Sequence, residues 1–136
     1  DGKGTLYEGG TRSVAFMNWP GKIKPGVFNG LMHVVDMLPT LAGLAGAKLD
    51  KNKPLDGMDM WPSISEGKPS PRTEIVYNVD PMTGAVREGD WKLVWGASLP
   101  QKIELFNLAQ DKSEATNLAD KNPDKVKELQ ARITEL

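Results

Sequence analysis

Cysteine is absent from the 136 residues, and histidine occurs once, at His33. The first absence excludes disulfides, thiolate metal sites and a cysteine nucleophile within the chain, and leaves the compartment open. Long apolar runs are also missing: nothing approaches the ~18 residues that a membrane-spanning helix needs. Neither sign of charge dominates, since 17 basic residues stand against 18 acidic ones and no Lys/Arg block occurs. Nucleic acid and membrane surfaces are therefore not expected as partners. The opening Asp1-Gly2-Lys3-Gly4 has neither the apolar stretch nor the cleavage region of a signal peptide. The length suits one compact domain with a modest core.

Glycine and proline are plentiful, at 14 and 10 residues, and they punctuate short apolar runs. Residues 13–19 form such a run, closed by Pro20-Gly21, and read as a largely buried strand. From His33 the period becomes helical. Val35, Leu38, Leu41, Leu44 and Ala45 recur at spacings of three and four, with Asp36 as the expected N-cap, Pro39 in the first turn and Gly46 as the stop. The polar, turn-rich stretch 47–60 is the candidate boundary between two structural units, followed by a short helical turn over 61–66.

Three or four antiparallel strands follow: 73–79, 84–87, 91–95 and 102–108, with Glu88-Gly89-Asp90 as a turn. Trp91, Leu93 and Trp95 alternate onto one face and read as core. At the end, Asn122 caps a helix, Pro123 takes its first position, and Val126, Leu129, Ile133 and Leu136 line one stripe that should pack on the sheet.

The densest motif is Gly2-Lys3-Gly4-Thr5-Leu6-Tyr7-Glu8-Gly9-Gly10-Thr11-Arg12. A phosphate-cradling loop is disfavoured, because the leading glycine and four-residue spacer are missing and Lys3 precedes Gly instead of Ser or Thr. The same residues, followed by an apolar run ending Trp19-Pro20-Gly21, resemble a signature in the second half of type I sulfatases, members of the alkaline phosphatase superfamily. The resemblance continues in family order through Asp36-Met37-Leu38-Pro39-Thr40-Leu41, Leu55-Asp56-Gly57-Met58-Asp59, Ser70-Pro71-Arg72, Glu88-Gly89-Asp90-Trp91-Lys92-Leu93, Glu104-Leu105-Phe106-Asn107-Leu108 and the segment 111–119. Residues 53–57 and 64–72 look like the arylsulfatase B branch, whose substrates include sulfated sugars.

The resemblance implies an α+β chain: a strand-helix segment at 1–50 from the edge of a large α/β sulfatase domain, then a C-terminal subdomain at 55–136 with an antiparallel 3–4 stranded sheet and a C-terminal helix. It implies a parent that hydrolyses sulfate esters in the periplasm or outside the cell, using calcium and a formylglycine. Both would come from upstream residues, since no Cys/Ser-x-Pro-x-Arg occurs here, and Ser70-Pro71-Arg72 lacks its spacers. Lys3 alone matches an active-site position, the family lysine that contacts the sulfate.

Other candidates are read as structural: Glu8 accepting backbone N–H bonds in the Gly-Gly turn, Arg12 pairing with a carboxylate, His33 packed or hydrogen-bonded, Asp56 and Asp59 in turns, and Trp61, Trp91 and Trp95 in the core. The leading expectation is a C-terminal sulfatase portion, inactive alone and prone to self-association through strand 13–19 and helix 36–45. The alternatives are a non-catalytic module of sulfatase ancestry that binds anions or sugars, and a fragment of a related phosphodiesterase.

Overall fold

The computed structural model describes residues 2–50, 53–77, 82–96 and 101–135. They divide into two compact units, one made of 2–14 with 74–135 and the other of 15–73.

In the first unit, four strands form one antiparallel meander in sequence order: β1 (Glu74–Tyr77), β2 (Thr83–Glu88), β3 (Trp91–Gly96) and β4 (Lys102–Asn107). The expected extension of β1 to 78 and 79 lies outside the described residues. The β2–β3 hairpin pairs Glu88 with Trp91 across Gly89-Asp90, and Gly89 takes the left-handed φ of 55° that the tight turn demands.

One sheet face buries Val86, Leu93 and Leu105 beneath Leu129, Val126 and Ile133 of the terminal helix α4 (Pro123–Thr134). Asn122 and Pro123 start that helix in the expected positions, although the Asn122 side chain bonds back to the Leu118 carbonyl instead of capping; Leu136 lies outside the described residues. Leu93 is fully buried and Trp91 packs beside it, while Trp95 is half-buried. The other face is covered as well: Ala85, Val94 and Phe106 pack with Leu108, Leu6 and Tyr7. Burial on both faces explains the adjacent apolar pairs Ala85-Val86, Leu93-Val94 and Leu105-Phe106, a pattern that departs from the simple alternation of a one-sided sheet.

The outer edge of β4 is closed by a side chain. Asn117 accepts from the Leu105 N–H with its Oδ1 and donates to the Ile103 carbonyl with its Nδ2, and the Leu118 N–H then donates to the Leu105 carbonyl. Asp111 holds the preceding loop by accepting from the N–H groups of Ala115 and Thr116, each at 2.8 Å.

The second unit has little regular structure: a 3-10 turn at Val34–Asp36, helix α2 (Met37–Leu44) and helix α3 (Trp61–Glu66). Two expectations are corrected here. Residues 13–19 are not a strand and are not buried; they pair with no strand among the described residues, and Val14 and Phe16 are 94% and 92% exposed. An extended run becomes a strand only when a neighbour completes its ladder, and apolar composition does not supply one. Asp36 does not cap α2, whose first turn has no side-chain cap. Instead His33 caps the 3-10 turn, its Nδ1 accepting from the Val35 N–H while Asp36 accepts from the His33 N–H.

Helix α2 does stop at Gly46, which has φ 67° and closes a Schellman pair of bonds from Gly46 and Ala47 to Gly43 and Ala42. Its apolar stripe faces outward, with Leu38 57% and Leu41 53% exposed; Thr40 and Ala42 are the buried residues.

Candidate functional site

Helix α1 (Glu8–Thr11) lies in the first unit, on the sheet face opposite α4. It carries the centre of the glycine-rich motif. The Glu8 side chain is buried, with Oε1 3.0 Å from Lys92 Nζ and Oε2 3.7 Å from Arg87 Nη1. Lys92 is itself fully buried and lies 2.9 Å from Glu114 Oε1, a charge contact without the alignment of a hydrogen bond. The second oxygen of Glu114 accepts from the Glu8 backbone N–H. Glu114 holds this position at φ 54°, a left-handed conformation uncommon for a residue with a side chain.

The Lys92 ammonium also lies 4.9 Å from the centre of the Tyr77 ring. Burial first, then the nearby Glu8 and Glu114 charges, push the Tyr77 hydroxyl up to about 12. Tyr77 therefore stays neutral at ordinary pH. A second anchor joins the segment to β4: Tyr7 Oη donates to Glu104, and Lys102 Nζ donates to Tyr7 Oη at 3.2 Å.

Gly10 explains how the loop before α1 folds. A Cβ there would fall 2.4 Å from the Thr5 carbonyl oxygen and 2.8 Å from that of Gly2. Only glycine admits the approach. Thr5 closes the same loop, its N–H and hydroxyl donating to the Gly2 carbonyl at 3.3 and 2.9 Å. Lys3 is exposed within this loop.

The second unit has its own buried charge. Asp36 is fully buried and accepts from the N–H groups of His33 and Met58, each at 2.8 Å, and from Nε of Arg72 at 2.9 Å and its Nη2. Burial pushes the Asp36 carboxyl up, but the hydrogen bonds from Arg72, His33 and Met58 outweigh it and hold the group below the usual aspartate range. Arg72 is raised in turn, chiefly by its bond to Asp36. Thr40 donates to the Asp36 carbonyl and accepts from the Met60 N–H. Gly57 brings the intervening segment against Val35, where a Cβ would lie 2.2 Å from the carbonyl oxygen. Three sequence motifs separated along the chain therefore meet at one carboxylate.

The remaining candidates take structural places. Arg12 is exposed, with no carboxylate partner among the described residues, so the expected ion pair is not formed. Glu8 meets the cations Arg87 and Lys92 instead of the backbone N–H groups expected of it. Asp59 accepts from the Trp61 N–H at the start of α3, and the Asp56 carbonyl accepts from Arg72. Trp61 packs against Trp19 at 5.5 Å between ring centres. Among the described residues, no group of three His, Cys, Asp or Glu side chains is placed to hold a metal ion.

Lys92 and Glu114 escaped sequence reasoning, although a lysine at a position alternating with Val94 on an enclosed sheet face signals a need for buried carboxylates.

A double-faced antiparallel sheet, a terminal helix on one side and a Lys-Gly-Thr/Glu-Gly-Gly segment on the other define the C-terminal part of a sulfatase. The family model described as N-sulphoglucosamine sulphohydrolase, C-terminal, matches residues 2–136. Arylsulfatase J of Mus musculus is 39% identical over 107 residues, covering 76% of this chain and 18% of that protein. Arylsulfatase A of Homo sapiens is 47% identical over 96 residues, covering 67% and 19%. The crystal structure of Ps i-CgsB superposes with a TM-score of 0.74 at 27% identity, over 86% of this chain and 27% of that one. The chain belongs to the sulfatase family and corresponds to its C-terminal portion. It spans about a fifth of the length of the two curated relatives.

Proposed function

We propose that the chain is the C-terminal portion of a sulfuric ester hydrolase: it presents Lys3 to the sulfate group of the substrate but cannot turn it over alone. The observation that carries this reading is the attachment of the Lys3 loop to the sheet through Gly10 and the buried Glu8. An ammonium group held at that position would offset negative charge on the transferring sulfuryl group. The family's other requirements do not fit these residues. The chain has no cysteine and no Ser-x-Pro-x-Arg to become a formylglycine, and its described carboxylates are engaged in salt bridges and turns or scattered, without a calcium-sized cluster. Residues 1–50 then belong to a larger α/β sulfatase domain and 55–136 to the C-terminal subdomain. Resemblance to the arylsulfatase B branch supports a sulfated sugar as the substrate class, and the family supports a periplasmic or secreted site of action.

Hydrolysis of an aryl sulfate by the purified chain with calcium tests the first half of the proposal. No turnover above background is expected, and measurable turnover would refute inactivity. In the longer enzyme, Lys3→Ala should lower kcat/KM by about 10²-fold or more. Unchanged kinetics would remove Lys3 from the sulfate site.

A further inference from the structure

Arg87 and Lys92 stand directly opposite each other in the β2–β3 ladder, on the face that carries α1. Like charges at such a pair repel, and the full burial of Lys92 beside a partly buried Arg87 strips away much of the water that would screen them. Their compensation comes from outside the sheet. Glu8 reaches both cations, and Glu114 reaches Lys92 with one oxygen while binding the Glu8 N–H with the other. Two cations and two carboxylates thus balance within one enclosed cluster. Its four members come from three places in the chain: the Lys3 segment, the sheet and the loop after β4.

We propose that this cluster is a latch: Glu8, Lys92 and Glu114 are positioning residues that fix the Lys3-bearing segment on the sheet. The segment has no β-ladder of its own to hold it, and α1 is a single turn. Its attachment rests on the charge cluster, on the packing of Leu6 and Tyr7 against the sheet core, and on the Tyr7 bonds to Glu104 and Lys102. Of these, the charge cluster alone enforces its own closure, because release of Glu8 would leave the buried Lys92 facing the partly buried Arg87, with Glu114 in contact with Lys92 alone. Gly10 passes the constraint on to Lys3 by packing the 2–5 loop against α1. The left-handed Glu114 has the same origin, since that backbone conformation turns its carboxylate inward to both Glu8 and Lys92.

The role in positioning Lys3 rests on the function proposed above; the latch itself does not, and the experiment separates them. Amide hydrogen exchange, resolved by NMR, is to be compared in the unaltered chain, Glu8→Gln and Glu114→Gln. Glu8→Gln leaves the Lys92–Glu114 contact in place, so the sheet is expected to keep its fold even if Glu114→Gln does not. The latch predicts that exchange at residues 8–12 rises about tenfold or more while residues 85, 86, 93 and 105 stay protected. Unchanged protection at 8–12 in Glu8→Gln would overturn it, and so would an equal loss across the sheet.

In the longer enzyme, Glu8→Gln should lower kcat for an aryl sulfate while leaving KM within about twofold, and Glu8→Asp should recover part of the loss. If the segment loosens while kcat is unchanged and Lys3→Ala still impairs turnover, the positioning role is overturned. If Lys3→Ala has no effect, it is the Lys3 reading that fails.

Discussion

The two units of the chain each bury an ion pair, yet they use it differently. In the sheet unit, Lys92 and Glu8 lie above one face of a sheet whose other face is packed with Val86, Leu93, Leu105 and Leu129. The charges there join a segment onto a core that already exists. In the 15–73 unit, Asp36 and Arg72 take the place of a core: besides Asp36, only Met60, Ala42, Thr40 and Ser63 are buried among the described residues, while Phe16, Val27, Leu38 and Leu41 stand exposed. The lesson is that apolar content does not set local stability. Where no second surface covers an apolar stripe, its residues contribute little, and a single carboxylate with four donors must organise the chain instead.

The strongest way to break this contrast is to remove each unit's centre. Asp36→Ala takes the carboxylate from the Arg72 guanidinium and leaves the His33 and Met58 N–H groups without their acceptor, and should destabilise the 15–73 unit by about 3–5 kcal/mol. Leu93→Ala should cost the sheet unit about 2–5 kcal/mol through lost burial and the cavity left behind. Denaturant unfolding followed by residue-resolved NMR checks both: each substitution should melt its own unit first. If Asp36→Ala leaves the α2 signals intact, the carboxylate is not the organiser.

Acid provides a milder probe. The folded state holds the Asp36 carboxyl below its ordinary value, so its stabilisation is fully present above the unfolded aspartate pKa, ~3.9, and is lost as pH falls through the lower folded value. The 3-10 turn and α2 should therefore loosen below about pH 4, and Asp36→Asn should flatten that dependence. An acid transition that is identical in Asp36→Asn would contradict the assignment.

The smallest effect is expected on the exposed stripe. Leu38→Ser with Leu41→Ser should change the chain's own stability by no more than about 0.5 kcal/mol per site. The pair should nevertheless reduce the self-association that the sequence leads one to expect of helix 36–45, as read by sedimentation equilibrium at micromolar concentration. A chain that is monomeric before substitution would dismiss that expectation.

Much of the sheet unit was legible in the sequence because its signals are local. Asn122-Pro123 marks a helix start, Gly89-Asp90 a hairpin, and Val126, Leu129 and Ile133 a helical stripe that does meet the sheet. Residues 13–19 misled because strand composition was present without a pairing partner. Asp36 misled because a helix-start residue was read as a cap when its carboxylate turns back to His33 and across to Arg72. The cluster around Lys92 was the least legible, since its members are separated by as many as 106 positions and no local period links Glu8 to Glu114. The motifs marked those residues as a family signature, but their meeting required the fold.

Native-state hydrogen exchange on the unaltered chain tests the central contrast most directly. We expect the amides of β2 and β3 around Val86 and Leu93 to exchange only through global opening, and those of Leu41 to Leu44 in α2 to exchange at least about a hundredfold faster. Equal protection in the two places would contradict the account, because a carboxylate hub with an uncovered stripe would then be as stable as a sheet packed on both faces.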